Sequence, residues 1–154
     1  MIEKKYYLTK NGLKDIKKEL YEMKKEKREK LKDNSPVVFH SEDVNPDYLL
    51  FSKDMEFLKE KIAKLEDVLQ NIEMIKKPEK NCKEILMGAK IILEINGKKE
   101  KIMIVGTMEA DPIKGKISNE SPIGIALMGK KEGENVSVFS GDKKNIYKIK
   151  KVLY

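Results

Sequence analysis

The run Phe51, Met55, Leu58, Ile62, Leu65, Leu69 and Ile72, read from FSKDMEFLKEKIAKLEDVLQNI at positions 51–72, decides the fold. Its apolar residues recur at alternating steps of four and three, the seam of a helix that lies along a second helix. Upstream, Leu13, Ile16, Leu20 and Met23, with Leu31 further on, mark a stripe on another amphipathic helix. Thr9 suits the N-cap of that helix, and Leu8 and Leu13 suit a staple around it. Ser35-Pro36 ends it, because proline disfavours helical geometry in the residue before it. Two such helices joined by a short connection pair most economically as an antiparallel coiled-coil hairpin. The alternative for the same seam is a coiled coil between two chains. A second helix over 46–75 is expected to be roughly 45 Å long at ~1.5 Å per residue.

The turn of the hairpin is expected at about 34–47, and the composition changes there. No Lys or Arg occurs between Lys32 and Lys53, whereas Asp33, Glu42, Asp43 and Asp47 do. An ordinary polar loop collects such residues for turn chemistry. Asn45, Pro46 and Asp47 also fit the start of a helix, as N-cap, first-turn proline and first-turn acid. Capping accounts for those three and leaves Glu42 and Asp43 without a packing role at the far end of a thin rod.

After Pro78 the pattern becomes one of short strands. KIILEI at 90–95 is followed by Asn96-Gly97, a strong hairpin signal, and by a returning strand at 101–105. Further strands are expected at 136–139 and 146–152, joined through Gly141-Asp142, with one or two helical turns between Pro122 and Gly129. The fold class is therefore α+β, with a helical hairpin over 1–76 and a small antiparallel β domain with a short helix over 77–154.

Composition narrows the functions available to such a chain. The 154 residues carry a net charge of +7, of which +1 falls in residues 1–76 and +6 in 77–154. The basic excess invites an acidic partner. Cys82 and His40 are the only cysteine and histidine, which excludes an internal disulfide, CxxC metal or redox sites, and nearly all catalytic triads. No apolar run approaches the ~20 residues of a membrane span, and the first residues lack a signal-peptide core, so a cytoplasmic protein without membrane contact is expected. Neither a phosphate-binding glycine loop nor a convergent acid–base pair is visible. Aromatic residues amount to 6% with no Trp, which gives no signature of a base-stacking platform.

Taken together, these residues resemble the Gre (GreA/GreB) family of bacterial transcript-cleavage factors over nearly the whole chain. Leu8-Thr9-Lys10-Asn11-Gly12-Leu13 is similar to the family's opening helix, and Asn45-Pro46-Asp47-Tyr48 to its Asn-Ala-Glu-Tyr segment. Val105-Gly106, Glu109-Ala110-Asp111-Pro112, Gly115-Lys116-Ile117-Ser118, Ser121-Pro122-Ile123-Gly124 and Ala126-Leu127-Met128-Gly129 follow in the family's order. The resemblance implies an FKBP-like C-terminal domain that docks on RNA polymerase at its secondary channel. Asp111, Pro112, Ser121, Pro122, Ile123, Gly124 and Gly129 fall on that domain's motifs. It further implies a coiled coil that enters the channel as a monomer and acts near the RNA 3′ end. There, tip carboxylates share the polymerase's second Mg²⁺, so the factor needs no cofactor of its own and is not itself an enzyme. Anchored on Asn45 and Tyr48, the family's two acid positions fall on Ser41 and Val44, neither of which supplies a carboxylate. Glu42 and Asp43 stand next to them and are the expected metal-facing pair, with Asn45, Asp47 and Tyr48 shaping the tip.

The expected function is stimulation of the polymerase's own cleavage of backtracked RNA, which rescues arrested complexes. One alternative is a non-cleaving relative that occupies the same channel and inhibits or regulates the enzyme. Another is a scaffold or chaperone with a dimerising coiled coil and a peptide-binding FKBP-like domain.

Overall fold

The computed structural model describes residues 5–33, 46–78 and 82–154. By contact the chain divides into two units, Leu13–Asn71 and a second formed by Met1–Gly12 together with Ile72–Tyr154. The expected boundary at 76/77 thus differs from this grouping: the start of the chain goes with the β-rich part. The cause is a short parallel pairing absent from the sequence reading, of β1 (Tyr6–Leu8) with β2 (Ile72–Met74). Leu8 is fully buried there, and its carbonyl accepts the Ile75 amide at 2.9 Å.

The helical unit holds α1 (Lys10–Asp33) and α2 (Pro46–Gln70), each roughly 36 Å long at ~1.5 Å per residue. They run antiparallel: Lys24 pairs with Glu66 at 2.5 Å and Lys30 with Asp54 at 3.3 Å, so numbers rise along one helix as they fall along the other. Met55, Leu58, Ile62 and Leu65 are buried in α2, as the heptad reading requires. At the end of the helix the buried position is Val68, while Leu69 is only half-buried. The helix also stops at Gln70 rather than continuing to 75. Asn71 closes it, its side-chain amide donating to the Asp67 carbonyl and carboxylate at 3.1 and 2.9 Å. Ile72, expected on the seam, is instead a strand residue.

On α1 the stripe holds through Leu13, Ile16, Leu20 and Met23, which are buried or half-buried. Leu31, read as its continuation, is 53% exposed. The half-buried positions beyond Met23 are Lys27 and Lys30, and Lys30 Nζ pairs with Glu26 at 3.2 Å and with Asp54 at 3.3 Å.

In the second unit, β3 (Lys90–Ile95), β4 (Lys98–Val105), β5 (Lys116–Ser118), β6 (Asn135–Ser140) and β7 (Lys143–Leu153) form one sheet in the order β5-β4-β3-β7-β6. All pairs are antiparallel except β4 with β5. The Asn96-Gly97 turn carries positive φ at both residues, 49° and 77°, the geometry whose twist matches a two-residue hairpin. β3 alternates, with Ile91 and Leu93 buried, whereas β4 ends on two consecutive buried residues, Ile104 and Val105. Ile91, Leu93, Ile102, Ile104, Val136 and Ile149 form one core with Ile85 and with Leu127 of α3 (Pro122–Leu127). Burying each such aliphatic chain contributes about 1.5–3 kcal/mol. The register shifts between Ile92 and Leu93, which leaves Lys150 of β7 as an extra, bulged residue.

Candidate functional site

The residues expected to act divide between the two units. Of the tip set, Ser41, Glu42, Asp43, Val44 and Asn45 lie outside the described residues. Pro46 and Asp47 open α2, with the carboxylate in the first turn where the helix dipole favours it, and Tyr48 is exposed on the next position. Among the described residues no group of three or more potential metal ligands comes together.

The C-terminal set can be followed atom by atom. Asp111 and Lys116 exchange backbone hydrogen bonds at 2.9 Å in both directions, closing the loop that carries Pro112, Ile113 and Lys114. The Asp111 carboxylate accepts from Lys114 Nζ at 3.0 Å, and that contact holds its carboxyl below the usual range. Pro112 starts a single 3₁₀ turn (Pro112–Lys114) and leaves Ile113 98% exposed at its crest. Ser121 caps α3: its Oγ accepts from the Gly124 amide at 3.0 Å and donates to the Ser118 carbonyl at 2.7 Å. Pro122 follows at the first helical position, and the buried Gly124 admits that close turn because a Cβ there would lie 2.0 Å from the Ser118 carbonyl oxygen. Gly129, at φ 75°, donates to the Ile85 carbonyl at 2.8 Å and returns the chain from α3.

These roles separate the set. Ser121, Pro122, Gly124 and Gly129 shape the α3 segment. Pro112 and Ile123 border an open cavity of about 490 Å³ on the core side of the sheet, with Leu93, Ile102, Ile113 and Tyr147. Ile113 was missed by the sequence reading, although an isoleucine between Asp-Pro and Lys-Gly, where a turn leaves no core to enter, is a legible signal.

Glu109, outside the expected docking set, has a structural task of its own. Its side chain is 5% exposed and accepts from the Thr9 amide at 3.0 Å, the Thr9 hydroxyl at 2.7 Å and Lys116 Nζ at 3.1 Å. Thr9 Oγ1 in turn accepts from the Gly12 amide at 3.0 Å. This is a capping box in which the acid that serves the N-cap amide comes from 100 residues away rather than from the third helical position. Gly12 occupies that third position, and a Cβ on it would lie 2.2 Å from Glu109 Oε2.

Comparison with known proteins accords with this construction. A family model for the C-terminal region of the transcription elongation factors GreA/GreB matches residues 79–154. Transcription elongation factor GreA of Clostridium acetobutylicum is 37% identical over 151 residues, covering 96% of each chain. That of Caldanaerobacter subterraneus is 38% identical over 143 residues, covering 89% of this chain and 90% of its own. Among solved structures, GreA factor homolog 1 of Thermus thermophilus aligns over 98% of this chain and 100% of its own, at 22% identity and a TM-score of 0.43. The chain belongs to the GreA/GreB family of transcription elongation factors.

Proposed function

We propose that this protein is a transcription elongation factor that binds RNA polymerase and stimulates the polymerase's own cleavage of backtracked RNA. The observation that carries the reading is the 37% identity with a GreA factor across almost the full length of both chains. In this reading the two antiparallel helices act as a coiled-coil hairpin that enters the secondary channel as a monomer. The sheet unit, FKBP-like in architecture, docks at the channel's rim.

The segment between Asp33 and Pro46 joins the two helices; the acids within it are Glu42 and Asp43, and Asp33 and Asp47 flank it on the helix ends. Mg²⁺ prefers hard oxygen ligands and keeps several waters, so carboxylates added to the polymerase's own set suit its second, loosely held ion. Such an ion activates the attacking water or steadies the charge of the phosphoryl transition state. The factor contributes ligands and position near the RNA 3′ end, and the reaction remains the polymerase's.

Docking is assigned to the crest formed by Ile113, with Pro112 and Ile123 at the cavity beside it. An isoleucine held almost fully exposed on a tight turn favours an apolar partner surface.

The test is to add the purified protein to artificially backtracked complexes with Mg²⁺ and resolve the RNA. Short 3′ fragments are expected. Glu42→Ala combined with Asp43→Ala is expected to abolish them while polymerase still co-elutes with the factor. Inhibited elongation without fragments from the unaltered protein would replace cleavage by channel blockade.

A further inference from the structure

One face of the five-stranded sheet packs the core, and the opposite face carries exposed side chains from β3, β4, β6 and β7. Ladder partners place Lys99 and Lys101 of β4, Lys90 of β3, and Lys144, Lys148 and Lys151 of β7 on that open face. All six are exposed, and none forms a salt bridge among the described residues. The ladder carboxylate on the same face is Glu94. It is already bound by the bulged Lys150 at 2.9 Å, and that contact, with the fields of Lys148 and Lys99, holds its carboxyl below the usual range. The face is therefore strongly positive.

It is not uniformly polar. Phe139 stands opposite Lys144 and is 68% exposed, and Ile146 beside it on β7 is 59% exposed. At the other end, Ile92, Met103 and Leu153 floor a shallow depression of about 320 Å³ with Lys90 and Lys101 on its border. Cations spaced by strand geometry, ~4.8 Å across and ~6.8 Å along the sheet, thus alternate with apolar ground.

We propose that this open face binds single-stranded RNA, with lysines on the phosphates and a base stacked on the Phe139 ring. Two features select this partner. Sheets that hold single strands present exposed aromatic side chains on a flat face, here the Phe139 ring. Such binding combines a ring that accepts any base with a basic track, here the six exposed lysines. The proposal concerns the isolated protein and is independent of its reading as a polymerase factor.

The experiment measures fluorescence anisotropy of a short labelled oligouridylate titrated with the full chain over a range of salt concentrations. Saturable binding is expected, with affinity falling on a log–log plot at a slope of roughly −3, about 0.7 for each phosphate engaged. Lys101→Glu, Lys148→Glu and Lys151→Glu together are expected to weaken it about tenfold or more and flatten the slope by roughly two. Phe139→Leu keeps the apolar contact but loses the ring, and about a fivefold loss is expected. Circular dichroism on each variant confirms the fold. Equal loss from the helical triple Lys14→Glu, Lys17→Glu and Lys59→Glu would overturn the assignment to this face. Unchanged affinity in Phe139→Leu, or binding to phosphatidylserine vesicles without binding to RNA, would overturn the single-strand reading.

Discussion

Glu109 and Gly12 act as a pair. Removing the carboxylate leaves the Thr9 amide and Lys116 without their acceptor in a site 5% exposed, so Glu109→Ala is expected to cost about 2–3 kcal/mol in denaturant unfolding. Gly12→Ala alone drives a Cβ into that carboxylate and is also destabilising. In the Glu109→Ala background the clash is gone, and alanine's helix propensity favours it by about 1 kcal/mol. The double variant is therefore expected to be more stable than Glu109→Ala alone, and a double-mutant cycle reads the coupling. Additive losses would show that the two do not share one site.

A second tie is made by Tyr154. Its hydroxyl donates to the Glu84 carbonyl and accepts from the Leu86 amide at 3.0 Å, tying the end of the described chain to the segment before β3. Burial raises its pKa above the ordinary 10.0. The folded state then holds the proton more tightly than the unfolded one, so this contribution is fully present below about pH 10 and is lost as pH rises through the raised value. Stability is expected to fall above pH ~10, and Tyr154→Phe is expected to lose that dependence.

At the scale of elements, the two helices are held by their apolar seam rather than by their charges. Leu58 is 5% exposed and Leu31 53% exposed, although both lie on apolar-patterned helices. Leu58→Ala is expected to cost about 2–4 kcal/mol, since it removes packed methyls and leaves a cavity. Leu31→Ala is expected to stay within about 0.5 kcal/mol. Thermal melts of the two variants decide the point, and comparable losses would mean that Leu31 meets a partner. The Lys24–Glu66 and Lys30–Asp54 pairs are half-exposed, so they align the helices more than they stabilise them. Lys27 and Lys30 continue the seam by spacing, a continuation that a scan for apolar residues passes over in favour of Leu31.

At the scale of the whole molecule, binding to polymerase and cleavage should be separable. Ile113→Glu places a charge on the exposed crest without touching the core and is expected to lower the affinity for polymerase by about tenfold or more. Cleavage is expected to return when the factor is raised to saturation, because the acids at 42 and 43 are intact. If the proposed tip role holds, the Glu42 and Asp43 double variant is expected to show the opposite signature, with binding kept and cleavage lost at every concentration. A co-elution assay run beside the cleavage assay distinguishes them, and loss of both functions in either variant would break the division of labour.

Much of this architecture is written in local chemistry. The heptad seam of α2, the Thr9 cap, the Asn96-Gly97 hairpin, the period-two strands and the Ser121-Pro122 start of α3 each rest on residues a few positions apart, where periodicity and turn geometry act directly. What the tertiary structure alone decided involves partners distant in sequence. The pairing of Tyr6–Leu8 with Ile72–Met74 turned the expected end of a helix into a strand, and the Glu109 carboxylate reached Thr9 from the far side of the chain. The gathering of six lysines and Phe139 on one open face is of the same kind. Spacing along a chain cannot report such contacts, because which strands become neighbours is settled by how the core closes, and that depends on every element at once.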